Sequence, residues 1–83
     1  MHDMPFASVT VLDQHTDQRK TIHSLDDAAE FLLYDWPVTP SETLAIARQA
    51  CLEALMGKVD PIVARDAFIK AAKEAGILIE KAV

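Results

Sequence analysis

Helix-start and helix-stop residues recur so regularly between Ser24 and Gly76 that this stretch accommodates three consecutive helices and little else. Ser24 is a favourable N-cap, and two aspartates follow it in the first turn, where the helix dipole favours negative charge. Pro37 disfavours the α conformation at the residue before it, which predicts a first helix over about residues 25–35. The apolar face of this helix is expected to contain Leu25, Ala28, Ala29, Leu32 and Trp36.

The next loop carries a second set of helix-start signals. Thr39 is a candidate N-cap, Pro40 suits the first helical position, and Glu42 stands where the acid of a capping box reaches back. Gly57 favours the left-handed conformation that ends many helices. These residues predict a second helix over about residues 40–56.

The predicted second helix is more apolar than one buried stripe requires. Ten of the thirteen positions from Leu44 to Met56 are apolar. Helical spacing gives a core face of Leu44, Ala47, Cys51, Ala54 and Leu55. Leu52 and Met56 flank that face, and Ile46 lies nearly opposite it. We expect this helix to be either central in the fold or covered by another molecule.

A third helix is predicted over about residues 61–75. Asp60 and Pro61 form a pair of N-cap and first helical residue, and Gly76 is a natural stop. The face that permits close helix packing consists of Ala64, Ala67, Phe68, Ala71, Ala72 and Ala75.

Alternating β-branched residues ahead of these helices predict an antiparallel hairpin over about residues 6–23. Val9 and Val11 share one side of its first strand. The connection lacks an Asn-Gly or Asp-Gly pair, which favours a loop of about four or five residues. The apolar tail, residues 77–83, either folds back on the core or lies beside the hairpin. The predicted fold is therefore α+β, a two-stranded antiparallel hairpin packed on three helices (ββααα), within a single domain over residues 1–83.

Charge and cysteine content narrow the classes of function. The net charge of −5 repels phosphate backbones, so we expect no nucleic-acid partner. No apolar run approaches the ~20 residues of a membrane span, and the N-terminus lacks the basic region of a signal peptide, so we expect no membrane association and a cytoplasmic location. Cys51 is the only cysteine, which excludes an internal disulfide, and its apolar neighbours are typical of a buried thiol.

The sequence contains no recognisable catalytic or metal-binding motif. It has no Ser-His-Asp order, no helix-borne histidine pair and, with two glycines, no glycine-rich phosphate loop. His15 and His23 flank the hairpin near two aspartates, but structural zinc sites usually include thiolates, so solvated histidines are the favoured interpretation. Arg48 and Arg65 are interpreted as ordinary solvated or paired charges. We therefore expect no catalytic residue, no metal and no cofactor.

Several segments stand in an order and spacing that is specific when they are taken together. They are Ala28-Ala29-Glu30-Phe31-Leu32-Leu33, Trp36-Pro37, Ala50-Cys51-Leu52-Glu53-Ala54-Leu55 with Gly57, and the stretch from Ala64-Arg65 to Ala75-Gly76-Ile77. Through these segments, and over nearly the whole chain, the sequence resembles the bacterial Domain of Unknown Function 982 family. Val38-Thr39-Pro40 stands where the family pattern has a basic residue followed by a small one. The resemblance implies a stand-alone ββααα domain, and it supplies no established activity, cofactor or catalytic residue.

Excess apolar helix surface and the lack of recognisable chemistry favour a non-enzymatic protein-interaction or regulatory module. The candidate interaction surface consists of Tyr34, Trp36, Ile46, Leu52 and Met56. The expected partner is another protein or a second copy of this chain in a weak homodimer, through the helices in preference to the hairpin edge. The alternative is a small-ligand-binding protein or accessory enzyme, with a pocket between the hairpin and the helices near Trp36, Tyr34 and Arg65.

Overall fold

A computed structural model of the protein describes residues 8–13, 16–36 and 41–81. Its elements, in chain order, are β1 (Val9–Asp13), β2 (Gln18–Ile22), α1 (Leu25–Glu30), a π-helical turn (Phe31–Asp35), α2 (Glu42–Leu55), α3 (Pro61–Ala75) and β3 (Leu78–Lys81). This order confirms the predicted α+β fold and adds one strand after the last helix.

The sheet has three antiparallel strands in the order β2-β1-β3. Within the hairpin, Val9 pairs with Ile22 and Val11 pairs with Lys20. Because side chains alternate along a strand, this register brings Val9, Val11 and Ile22 to the same face, and all three are fully buried. The predicted hairpin extends beyond the described residues at positions 6, 7, 14 and 15.

The apolar tail, whose course the sequence left open, forms the third strand. Gly76 adopts the left-handed conformation at φ 76°, its N–H donates to the Lys73 carbonyl at 3.1 Å, and the Ile77 N–H donates to the Ala72 carbonyl at 3.0 Å. This pair of bonds is a Schellman motif, which ends α3 and turns the chain back toward the sheet. The Ile77 side chain is buried, and its carbonyl accepts from the Leu12 N–H at 2.8 Å. β3 therefore occupies the edge of β1 that a two-stranded hairpin would leave free.

Side-chain caps begin all three α-helices. The Ser24 hydroxyl accepts from the Asp27 N–H at 3.0 Å, and Asp60 Oδ1 accepts from the Ile62 N–H at 3.0 Å. In α2 the N-cap is Ser41 rather than the predicted Thr39, because Ser41 Oγ accepts from the Leu44 N–H at 3.3 Å. Serine is at least as good an N-cap as threonine, and this start places Glu42 at the first helical position. Residues 37–40, which include Thr39 and Pro40, lie outside the described part of the chain.

The first helix is not a continuous α-helix, although the sequence predicted one. It changes to a π-helical turn after Glu30, and Trp36 at its end is extended, with ψ 124°. In a π-helical turn each carbonyl meets the N–H five residues on, and for Leu32 that position is Pro37, which has no N–H. The Leu32 carbonyl therefore takes its donors from elsewhere in the fold, as described below.

One hydrophobic core joins the strands to the helices. At its centre the rings of Phe31, Trp36 and Phe68 pack with centroids 5.7 to 6.3 Å apart. Cys51 is 1% exposed, and this burial raises the pKa of its thiol to about 11. The other buried apolar residues are Val9, Val11, Ile22, Leu25, Ala28, Leu32, Leu44, Ala47, Ala50, Ala54, Ala64, Ile69, Ala71, Ala72 and Ile77.

Candidate interaction surface

The helices leave many large apolar side chains uncovered. Those that are exposed in the described residues are Leu33, Tyr34, Ile46, Leu52, Leu55, Met56, Ile62, Val63 and Ile79. Their distribution follows from the packing of α2, which contacts α3 more extensively than it contacts the short α1. Both edges of α2 therefore border a groove, and the two grooves differ in chemistry.

The first groove, here called the α1–α2 groove, has a volume of about 220 Å³. It is lined by Ala29, Leu33, Arg48, Gln49, Leu52 and Leu55. Tyr34 follows Leu33 in the chain and is 77% exposed, and Met56, one turn after Leu52, is 53% exposed. None of these residues carries a carboxylate, although the chain as a whole is acidic. We call these eight residues together the α1–α2 face.

The charged side chain of the α1–α2 groove is held by the backbone of the preceding helix. Arg48 Nε and Nη2 donate to the Leu32 carbonyl at 3.0 and 2.9 Å. The guanidinium thus gives this carbonyl two charged donors from a different helix. These bonds link the π-helical turn to α2. The interpretation of Arg48 as an ordinary solvated or paired charge is wrong, since its partner is a backbone carbonyl.

The second polar side chain in this groove is also engaged within the protein. Gln49 Nε2 donates to Glu53 Oε2 at 3.0 Å along the same helix. The polar atoms of Arg48 and Gln49 are thus partly satisfied before any partner arrives. A partner that covers the α1–α2 groove would mainly remove apolar surface from water.

The second groove, here called the α2–α3 groove, has a volume of about 240 Å³. Its lining is Thr43, Ile46, Asp66, Ala67 and Lys70. Two of these five residues are charged, and the Thr43 hydroxyl donates to Glu74 of α3. Ile46 therefore shares its groove with two charged side chains, although it is as exposed as Leu52, at 55% against 51%.

The structure does not bring the five predicted surface residues together. Leu52 and Met56 lie on the α1–α2 face with Tyr34 beside them, whereas Ile46 lines the other groove. Trp36 is half-buried and packs edge-on against Phe31 and Phe68.

Two residues of the α1–α2 groove were not predicted from the sequence. Leu33 falls outside the expected core face of the first helix and was given no role. Leu55 was expected in the core but is 45% exposed and lines the groove. The run of apolar residues in the second helix was the available signal, and it did not show which edge stays open.

The other candidate residues have ordinary surroundings. His23 Nδ1 lies 3.7 Å from Asp27 Oδ2 on the surface, and His15 lies outside the described residues. Within residues 8–13, 16–36 and 41–81, no group of three histidine, cysteine, aspartate or glutamate side chains is placed to hold a metal ion. Arg65, which was expected to be solvated or paired, is buried, and this excludes only the solvated alternative. The described helices include none long and apolar enough to cross a membrane.

Sequence comparison assigns the chain to a family. The family described as "Protein of unknown function (DUF982)" matches residues 7–79, so the chain belongs to it, as the resemblance indicated. No curated protein and no solved structure matches the chain at a significant level.

Proposed function

We propose that this member of the DUF982 family is a non-enzymatic protein-interaction module, and that its partner-binding surface is the α1–α2 face. The observation that carries the proposal is the concentration of exposed leucine, tyrosine and methionine side chains around one groove whose lining has no carboxylate. The partner is a protein segment that presents large apolar side chains to this groove.

The amount of apolar surface supports this proposal. The exposed parts of Leu33, Tyr34, Leu52, Leu55 and Met56 amount to about 600 Å², which is at the upper end of the largest apolar patches on typical monomers. Patches of that size are costly to leave in water and are often binding sites. A catalytic site would instead need groups that exchange protons or bind charge, and the guanidinium in this groove is engaged with Leu32.

The strongest nucleophile type in the chain is unsuited to chemistry. The Cys51 thiol is buried, and its raised pKa of about 11 keeps it protonated at neutral pH. This observation supports a structural role for Cys51 and favours the interaction module over an accessory enzyme.

One observation favours the alternative, a small-ligand pocket near Trp36. Its indole Nε1 is buried and has no hydrogen-bond partner among the described residues, and buried donors usually have one. However, neither groove is lined by Trp36 or by a strand residue, so the pocket expected between hairpin and helices has less support than the α1–α2 face.

Site-specific photocrosslinking in the native host tests the interaction module. A photoreactive amino acid placed at Leu52 is expected to give protein adducts, because this side chain lines the proposed surface. The same amino acid at Ile46 is the matched control, since Ile46 lies on the same helix with similar exposure but in the α2–α3 groove. Adducts at Leu52 no stronger than those at Ile46 would contradict the proposal.

A further inference from the structure

We infer that the occupant of the α1–α2 face is a second copy of this chain, bound in a two-fold symmetric dimer. The inference rests on the proposed function and names its partner. Three properties of the face support self-association: its shape, its charge and its area.

The shape of the face suits an isologous contact. In a two-fold dimer the same patch serves both subunits, so it must contain both a depression and something to fill it. The α1–α2 groove is the depression, with a volume of about 220 Å³. Tyr34, next to Leu33 in the chain, and Met56, one turn after Leu52, are both more than half exposed, at 77% and 53%. Each copy thus offers the other a groove and two exposed side chains that are close to it in the chain.

The charge of the face lowers one obstacle to self-association. Two copies of a chain with net charge −5 repel each other, and like charges brought together in an interface are costly. The α1–α2 face holds no carboxylate, and its one charged group is the Arg48 guanidinium, which keeps its positive charge while bonded to the Leu32 carbonyl. The α2–α3 groove carries Asp66 and Lys70, so a self-contact there would have to desolvate charged side chains.

The area of the face is compatible with a weak dimer. About 600 Å² of exposed surface from these residues on each copy gives about 1,200 Å² in total, which is the lower limit of standard specific interfaces. Association also costs translational and side-chain freedom, and buried area alone does not set affinity. We therefore expect a weak dimer that is populated at high protein concentration.

Sedimentation equilibrium of the purified chain, over protein concentrations of about 1 μM to 1 mM, tests the inference because this range covers weak dimers. The wild type is expected to self-associate. Leu52→Glu is expected to weaken the dimer at least about 100-fold, because two-fold symmetry places two carboxylates in the apolar contact. Ile46→Glu, with the same added charge on the same helix, is expected to associate like the wild type. Circular dichroism checks that each variant is folded, and Met56→Glu replaces Leu52→Glu if the latter does not fold.

Several results would overturn the inference. A wild type that stays monomeric throughout the range excludes the dimer. If photocrosslinks at Leu52 then contain a different protein, the interaction module survives without self-association, whereas a monomer without adducts contradicts both proposals. A dimer that Ile46→Glu disrupts and Leu52→Glu does not would assign the contact to the α2–α3 groove. If both variants self-associate as strongly as the wild type, or if both lose association equally, the α1–α2 face is not the specific contact.

Discussion

The aromatic cluster in the core and the α1–α2 face are both apolar, and the short segment from Phe31 to Trp36 contributes to both. Phe31 and Trp36 turn inward to contact Phe68, while Leu33 and Tyr34 point outward. The composition of this segment does not distinguish the two directions. The π-helical turn does, because it changes the angle between successive side chains in the middle of an apolar run.

The two regions differ in what their apolar side chains contact. In the cluster each ring has neighbours on the helices and the sheet, so its burial stabilises the folded chain itself. On the α1–α2 face about half of each leucine side chain remains in water, so most of the available free energy is gained only when a partner binds. Substitutions in the two regions should therefore change different measured quantities.

The largest expected effect comes from Phe68→Ala, which should lower the free energy of unfolding by about 3–5 kcal/mol, because it opens a cavity between Phe31 and Trp36. Leu52→Ala should lower it by less than about 1 kcal/mol, because that side chain is already half solvated. Urea unfolding at low protein concentration, where a dimer contributes nothing, provides the comparison. Similar losses for the two variants would show that the α1–α2 face is part of the core. Phe68→Leu serves as a milder substitution if Phe68→Ala is unfolded.

The second effect is a loss of about 2 kcal/mol in the free energy of unfolding, which appears only at high pH and comes from ionisation of Cys51. Its pKa is raised from 9.0 to about 11 in the folded chain, so the folded state holds the thiol proton more tightly than the unfolded state does. The stability contributed by the neutral thiol is complete below pH 9 and decreases as the pH rises toward 11. We expect the stability difference between the wild type and Cys51→Ala to be constant below pH 9 and to decrease by about 2 kcal/mol by pH 11.

Thiol labelling tests independently whether Cys51 is buried. At neutral pH, Cys51 should react with a disulfide reagent only as fast as the fold opens, because the buried thiol is inaccessible to the reagent in the closed state. Rapid labelling of the native protein at pH 7 would contradict the placement of Cys51 in the core. It would also weaken the distinction between the buried and the exposed edges of α2.

The features that were readable from the sequence depend on local chemistry. The caps at Ser24 and Asp60 and the stop at Gly76 each rest on one side chain or one backbone conformation, and the structure has all three. The shared side of Val9 and Val11 follows in the same way from strand alternation.

The features that the sequence did not show depend on tertiary packing. The tail becomes a strand only because β1 has an open edge for it. Leu55 has helical spacing suited to the core, but it is exposed, because exposure depends on how the neighbouring helices pack and not on spacing along α2. Ile46 and Leu52 are equally apolar, and only their neighbours place one in a groove with Asp66 and Lys70 and the other in a groove without a carboxylate.

Arg48 links the two regions, and its substitution should change the free energy of unfolding by less than Phe68→Ala does. Arg48→Met keeps much of the side-chain length but removes both donors to the part-buried Leu32 carbonyl. We expect a loss of about 1–2 kcal/mol in the free energy of unfolding, because that acceptor has lost its charged partner. Arg48→Lys should recover part of this loss, since an ammonium group donates to the carbonyl without the planar fork of the guanidinium.

The same two variants separate a positional role of Arg48 from a direct role in binding. If Arg48 fixes the spacing of α1 and α2, Arg48→Met should weaken association even though it makes the groove more apolar, and Arg48→Lys should restore stability and association together. If Arg48 only adds charge to the groove, Arg48→Met should instead strengthen a dimer built on apolar contact. Urea unfolding and sedimentation of both variants, measured side by side with the wild type, decide between these outcomes. If the free energy of unfolding of Arg48→Met equals that of the wild type, the hydrogen bonds to Leu32 do not hold the π-helical turn against α2.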